Sequence, residues 1–388
     1  MGYSQFNLRE REEDVYEVFE EAVNKCITEH ADLILIAGDI FHSPRPSGSS
    51  IVKFANELKK VKEKSIPVFF VLGEHDINRT QDTPVPYLFH NLRLATKLTE
   101  NIPVRVDNIT IFGFDKERKS NIQNLLDRFK ITQELARKEK EERKQDTIGK
   151  TKSKNILVLH QGITDFNKFA GEIKSTDLPM NFDYYAMGHY HDHLEKNLDF
   201  LDGLIAYPGS LDLTPSEGIK EVDKGFFLTD FSGNEVKPHW IRLENRRDQF
   251  SADLNYESLS TELTKVIRKA SSCKKRPVIM LKILGDQIDS KNVANNLLQL
   301  NKFCLHYTWQ SVKQQKTPFL YDGTQINIEN ELTRLTKEAL LSEDLASFAI
   351  NEVLPLAGAG DEKATLDIVW KDYINSKIQN NIGKLNCQ

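Results

Sequence analysis

With 388 residues, 39% of them hydrophobic, the chain is too long for one ordinary core and rich enough for two domains with a smaller appendage. It has no run of 18 or more apolar residues, and residues 1–6 form neither a basic nor an apolar leader segment, so the expectation is a soluble chain, neither membrane-bound nor secreted. The net charge of −5 is unevenly spread: residues 245–323 hold 13 Lys and Arg against 7 Asp and Glu, residues 324–388 hold 6 against 10, and residues 1–244 carry −7. A basic segment between acidic neighbours fits a polyanion-binding surface, and an ordinary solvated face with surplus lysine fits as well. Cys26, Cys273, Cys304 and Cys387 are scattered with no Cys-x-x-Cys pair, which suits a reducing compartment and argues against disulfides or a zinc ribbon.

Residues 12–30 place Val15, Val18, Phe19, Ala22, Val23, Cys26 and Ile27 on one face of a helix. Residues 32–37 then form a continuous apolar run, as expected for a strand covered on both faces, ending at Gly38-Asp39. A helix over about 50–64 leads to a second such strand over 66–72, ending at Gly73-Glu74-His75-Asp76. Similar runs follow at 109–114, at 156–159 before His160, and at 182–187 before Gly188-His189. Between them, residues 116–155 read as a helix through Leu125, Leu126 and Phe129 that dissolves into a charged run and a mobile loop. Strands at 204–207, 225–231 and 239–243 are separated by turn residues rather than helices.

From Tyr256 the pattern restarts: a helix through Leu259, Leu263, Val266 and Ile267, a strand over 278–284, a helix around 293–300 and a strand near 304–309. This predicts a small α+β domain over residues 245–323, after a first domain over 1–244. The tail, residues 324–388, carries an amphipathic helix over 332–354 and a second over about 363–378. Their apolar residues either pack together as a hairpin or dock onto a partner protein.

The chemistry lies where apolar strands end: Asp39 and His42; Glu74, His75 and Asp76; His160; His189 and His191. In α/β sheets the ligand crevice lies beyond the carboxyl ends of the strands, so these segments can converge on one site. The closely spaced His189, His191 and His193 alone fit a polar loop as well as a metal site. Four such strand-end motifs in one domain favour a metal centre, and mixed carboxylate and imidazole donors suit Mn, Fe or Zn. A shared carboxylate such as Asp39 could bridge two ions, whose spacing of roughly 3.5 to 4 Å suits in-line phosphoester hydrolysis.

Gly38-Asp39-Ile-Phe-His42, Gly73-Glu74-His75-Asp76, His160-Gln, Gly188-His189-Tyr-His191 and Tyr207-Pro-Gly-Ser210 together resemble the signature of the calcineurin-like metallophosphoesterases. Arg11-Glu-Glu-Asp14, Phe41-His-Ser-Pro44 and Lys224-Gly-Phe226 narrow the resemblance to the SbcD and meiotic-recombination-eleven nucleases of double-strand break repair. The resemblance implies an α/β fold, a β-sandwich flanked by helices, followed by a DNA-holding capping domain and a tail that binds a coiled-coil ABC-type ATPase. It implies a homodimer acting at DNA, nucleoid-associated in a cytoplasm or nuclear, and a Mn²⁺-dependent endonuclease and 3′–5′ exonuclease with two ions. Asp39 would bridge them, Glu74, His160 and His189 would complete one site, and His191 would belong to the other. His75 would protonate the leaving oxygen with Asp76 orienting it, and His42 would steady the phosphate.

Two departures accompany the resemblance. Glu74 stands where the family has Asn, and its charge should raise metal affinity. The family's first strand ends in Asp-x-His-Leu-Gly, whose Asp and His bind the first metal, whereas this chain starts at Met1-Gly2-Tyr3, where that motif would finish. The expectation is therefore one tight metal and one weak or empty position, with impaired activity. A phosphodiesterase or phosphatase for small substrates, and a DNA-binding scaffold without catalysis, are the alternative functions.

Overall fold

The computed structural model describes residues 1–77, 83–146, 153–214, 217–312, 328–340, 342–358 and 362–374. Two sheets face each other. The first is parallel, with β1 (Ile34–Ala37), β2 (Val68–Val71) and β3 (Thr96–Lys97) in that order. The second runs β4-β5-β6-β7-β9-β8, from β4 (Val104–Val106), β5 (Ile109–Phe114), β6 (Lys154–His160), β7 (Tyr184–Gly188), β8 (Leu194–Lys196) and β9 (Leu204–Tyr207). Its four central strands, β5, β6, β7 and β9, are parallel, so their carboxyl ends share one edge.

The two-residue period of a strand explains why these segments read as unbroken apolar runs. Phe69, Val71, Ile111, Ile156, Val158, Tyr184 and Ala206 meet in the core between the sheets. Their neighbours Val68, Phe70 and Leu72 face outward against Val23 of α1 (Arg9–Thr28) and Phe54, Leu58 and Val61 of α2 (Gly48–Glu63). On the other side, Phe112, Phe114, Leu157, Leu159, Tyr185 and Met187 pack against Leu125, Phe129 and Ala136, from a helix that spans Ile122–Asp146 and follows the short α3 (Tyr87–Asn91). The loop expected after this helix, α4, lies at residues 147–152, outside the described residues. The hairpin of β10 (Gly225–Asp230) and β11 (Lys237–Arg242) packs Phe226 beside Leu243 against Val18 and Ala22 of α1.

A second unit has its own core. In it β12 (Gln249–Asn255), α5 (Leu259–Ser272), β13 (Val278–Leu284), α6 (Ser290–Leu297) and β14 (His306–Val312) surround Phe250, Leu254, Leu263, Val266, Ile279, Leu281, Ile283, Val293 and Leu297. All three strands are parallel in the order β12-β13-β14 and are joined by helical crossovers. The connection is thus α/β, correcting the α+β expectation. In β12 only alternate residues are apolar, so the segment before Tyr256 carries no continuous apolar run of the kind that marks the other strands.

The two units meet in a buried ionic cluster. Asp14 accepts from Arg11 at 2.6 Å, from Arg247 at 2.6 and 3.0 Å and from Lys275 at 3.0 Å. Arg11 also reaches Asp212 at 2.8 Å and Gln5 at 3.0 Å, and Gln5 donates to Gln249 at 3.1 Å. Arg11 and Asp14 thus have a structural place in the joint between α1 and β12.

The tail departs from one long helix. α7 (Ile328–Leu340) is followed by α8 (Glu343–Phe348), whose N-cap Ser342 accepts from the Leu345 amide. The helix loosens into a π-type turn over Ala349–Val353 before α9 (Leu354–Gly358), as expected where Pro355 offers no amide to the preceding turn. The second tail helix, α10 (Glu362–Ile368), runs into a similar turn over Val369–Ile374, and residues 375–378 lie outside the described residues. Among the described residues no helix is long and apolar enough to cross a membrane.

Candidate metal centre

The carboxyl ends of β1, β2, β6 and β7 converge where the sheets approach, and two glycines make room. A Cβ on Gly38, which has φ +90°, would strike the His160 ring, and one on Gly188 would strike the Ala37 carbonyl. Asp39 (φ +53°) and His189 (φ +100°) follow them in the left-handed region, where non-glycine residues are strained. Such strain collects at functional sites held in place by their surroundings.

Among the described residues, donors of Glu74, His160 and His189 lie within 4.8 Å of one another, as do those of Asp39, Glu74 and His75. His160 Nε2 is 2.7 Å from Glu74 Oε2 and 3.4 Å from Asp39 Oδ2, and His189 Nδ1 is 2.9 Å from Glu74 Oε1. The opposite ring nitrogens face backbone carbonyls: His160 Nδ1 donates to Ala37 O at 2.5 Å and His189 Nε2 to Ala170 O at 3.0 Å. A carbonyl can only accept, so these contacts fix the protons on His160 Nδ1 and His189 Nε2. His160 Nε2 and His189 Nδ1 are then the nitrogens left to present lone pairs toward Glu74.

These residues fit a divalent cation. His160 Nε2 and Glu74 Oε2 are buried and close, yet neither makes a hydrogen bond of acceptable geometry. Burial would raise the Glu74 carboxyl, but His160 and then His189 hold it far below the usual carboxylate range; Asp39 is lowered likewise by His160. Burial alone would lower His160, but Asp39 and Glu74 draw it well above its ordinary value. The cluster therefore demands positive charge, and a cation supplies it while the rings stay neutral ligands whose other nitrogens are tied to carbonyls.

The other expected residues separate. His42 stacks on His75, with ring centroids 5.5 Å apart, and meets Tyr3 in a tilted contact at 4.8 Å; burial and the neighbouring His75 lower its pKa. Asp76 is buried and accepts from the Ile40, Phe41 and Gly73 amides at 3.2, 3.0 and 3.1 Å, so it ties the first two strand-end loops together. Burial and then the charge of Asp39 push it up to about 6. His191 is in neither donor group. Its Nδ1 is 2.9 Å from Thr214 Oγ1 and 3.8 Å from Glu217 Oε2, and its carbonyl accepts from Lys224 at 2.7 Å and the Ser210 amide at 2.9 Å. The Tyr207–Ser210 and Lys224 motifs thus brace the His191 and His160 loops, with Tyr207 donating to Gln161 O at 2.8 Å. His193 stacks on Trp240 at 4.6 Å.

Residues 10–193 match the calcineurin-like phosphoesterase family. The chain is 30% identical over 288 residues to the DNA double-strand break repair protein Mre11 of Methanocaldococcus jannaschii, spanning 73% of this chain and 74% of that one. It belongs to the Mre11 family. The Mre11 protein of Methanococcus maripaludis is likewise 30% identical, over 76% of this chain and 79% of its own length. That of Sulfolobus acidocaldarius is 27% identical over 99% of this chain and 95% of its own, so similarity to an Mre11 protein extends through the second unit and the tail. Divalent-metal chemistry is what a calcineurin-like phosphoesterase fold implies, in keeping with the donors gathered around Glu74.

Two buried residues near His189, Lys116 and Glu172, escaped the sequence reading. Lys116 stands two residues beyond β5, as Asp39 stands two beyond β1, but in the sequence it also opens the helical pattern that follows. Glu172 lies in a loop between Gly171 and Ile173, with no strand end to announce it.

Proposed function

We propose that the chain is a Mn²⁺-dependent DNA nuclease of double-strand break repair, an endonuclease and 3′–5′ exonuclease that hydrolyses phosphodiesters at the Asp39–Glu74–His160–His189 cluster. The observation that carries this reading is the pair of imidazoles fixed by Ala37 and Ala170 carbonyls and turned toward one carboxylate. Three relatives that are DNA double-strand break repair proteins support DNA as the substrate. A divalent cation in the cluster would polarise a phosphoryl oxygen and make water nucleophilic near neutral pH. His75, exposed at the mouth, donates the proton to the leaving 3′ oxygen, and the stacked His42 steadies the phosphate beside it. Asp76 holds the loops that carry both rings.

Residues 245–323 supply phosphate contacts to duplex DNA without reading sequence. In the tail, Leu335, Leu366 and Trp370 are exposed, which supports docking on a coiled-coil ABC-type ATPase over a self-contained hairpin. The protein works as a homodimer on DNA, in a nucleoid or nucleus.

Linear duplex DNA incubated with the chain and Mn²⁺ is expected to shorten, and to stop shortening when EDTA is added. Cleavage of a small phosphodiester alone would mean a small-substrate enzyme, and DNA binding without cleavage a scaffold. A Mn²⁺ titration is expected to give one tight equivalent, because His191 stands outside the donor groups; two tight equivalents would reject that part of the reading.

A further inference from the structure

Beside the candidate centre lies a buried ion pair that belongs to neither donor group. Lys116 Nζ is 2.5 Å from Glu172 Oε1, with the two side chains 4% and 0% exposed. The second carboxylate oxygen accepts from the Gly162 amide at 2.8 Å and from Gln161 Nε2 at 3.5 Å. The backbone is as firmly placed: the Lys116 amide donates to Leu72 O at 2.8 Å, two residues before Glu74, and the Glu172 amide to Gly162 O at 3.0 Å, two residues after His160. The pair thus fastens the loops after β2, β5 and β6 to one another.

Stability alone is a poor reason to bury such a pair, since replacing a buried ion pair by neutral groups that pack as well is often neutral or stabilising. Its placement gives a better one. Lys116 Nζ lies 3.4 Å from His189 Nδ1, and Glu172 Oε1 lies 3.5 Å from His189 Nε2. An ammonium therefore stands by one nitrogen of the ring and a carboxylate by the other. The ammonium favours a lone pair on Nδ1 and the carboxylate favours a proton on Nε2, the same tautomer that the Ala170 carbonyl selects. Outer partners of this kind orient metal-binding histidines and fix their tautomer.

We propose that the Lys116–Glu172 pair is a positioning device for His189, polarising its ring so that Nδ1 presents a lone pair toward Glu74. The inference rests on the metal-centre reading. Its test uses the full chain and reads Mn²⁺ affinity by calorimetry, the tautomer of His189 by ¹⁵N-histidine spectra, and melting temperature. In the double variant Lys116→Met/Glu172→Gln both charges go, net charge is unchanged, and the Gln carbonyl can still accept from Gly162. This variant is expected to melt within a few degrees of the parent chain while Mn²⁺ affinity falls about 10- to 100-fold. The exchanged pair, Lys116→Glu/Glu172→Lys, keeps an ion pair but reverses its direction across the ring, and it is expected to lose affinity and shift the His189 proton toward Nδ1.

Parent-like affinity in the folded double variant or in the exchanged one would overturn the proposal. So would a collapse of the fold in both, which would make the pair structural. Failure of the parent chain itself to bind Mn²⁺ would instead remove the metal-centre reading on which the proposal stands.

Discussion

His75→Ala is expected to slow Mn²⁺-dependent degradation of duplex DNA by about 10²- to 10⁴-fold, the range a positioned proton donor contributes. The side chain is exposed, and the backbone amide of residue 75, which donates to Asp39 Oδ1 at 3.0 Å, survives the substitution. Fold and DNA affinity should therefore persist, and the loss should fall on the catalytic rate. A second role has to be separated from this one, because a ring nitrogen of His75 shares a donor group with Asp39 and Glu74. A proton donor leaves Mn²⁺ affinity unchanged when removed; a ligand lowers it by an order of magnitude or more. Calorimetric titration of the His75→Ala chain distinguishes the two, and a large drop in affinity would reassign His75 from acid to ligand. Asp39→Ala gives the contrasting pattern, since it removes a carboxylate 3.4 Å from His160 and should abolish both tight binding and cleavage.

How much of this site the sequence announced follows from how its strands are covered. β2 and β6 lie between the sandwich core on one face and helices on the other, so both faces need apolar side chains and each strand reads as a continuous run with an evident end. Asp39, Glu74, His160 and His189 stand at such ends and were legible for that reason. β12 alternates Phe250, Ala252 and Leu254 with the exposed Ser251, Asp253 and Asn255, and with only one apolar face it went unread. The short β3 and β4, of two and three residues, leave too little pattern to read. Lys116 and Glu172 illustrate a different barrier. They are separated by 56 residues, and their relation to His189 exists only once the loops after β5 and β6 are side by side. The distance of His191 from the other donors is likewise a matter of loop placement, set by Thr214, Ser210 and Lys224, which lie 19 to 33 residues further along the chain.

Asp14→Ala is expected to destabilise the chain by about 3 to 5 kcal/mol, the cost of removing one partner from a buried charge cluster. Arg11 is fully buried and, among the described residues, would keep only Asp212 as an acidic partner, while Arg247 would lose both of its contacts to Asp14. Because the cluster joins α1 to β12, the damage should be felt first between the units, as faster amide exchange in β12 and β13 and weaker binding of duplex DNA. The donors around Glu74 belong to other loops, so Mn²⁺ affinity should change far less than DNA affinity; an equal loss of both would mean that the whole first unit had unfolded. Lys275→Ala removes a partner of the same carboxylate, but one that is a quarter exposed, and should cost well under half as much. The dependence on pH has a definite sign. Burial would raise the Asp14 carboxyl, yet hydrogen bonds from Arg247 and Arg11 and their charges hold it below the ordinary carboxylate range. A depressed carboxyl contributes stability that is complete above its unfolded pKa, about 3.9, and is lost as pH falls through the folded value. Asp212 is raised by burial despite Arg11, with the charge of Asp14 adding to the rise, so its contribution has the opposite sign and is smaller in an Asp14→Asn variant than in the parent chain. The stability gap between those two chains is thus expected to be full at pH 7 and to narrow below about pH 4. A gap that stays constant from pH 7 to pH 2 would show that packing around Asp14, rather than its charge, holds the two units together.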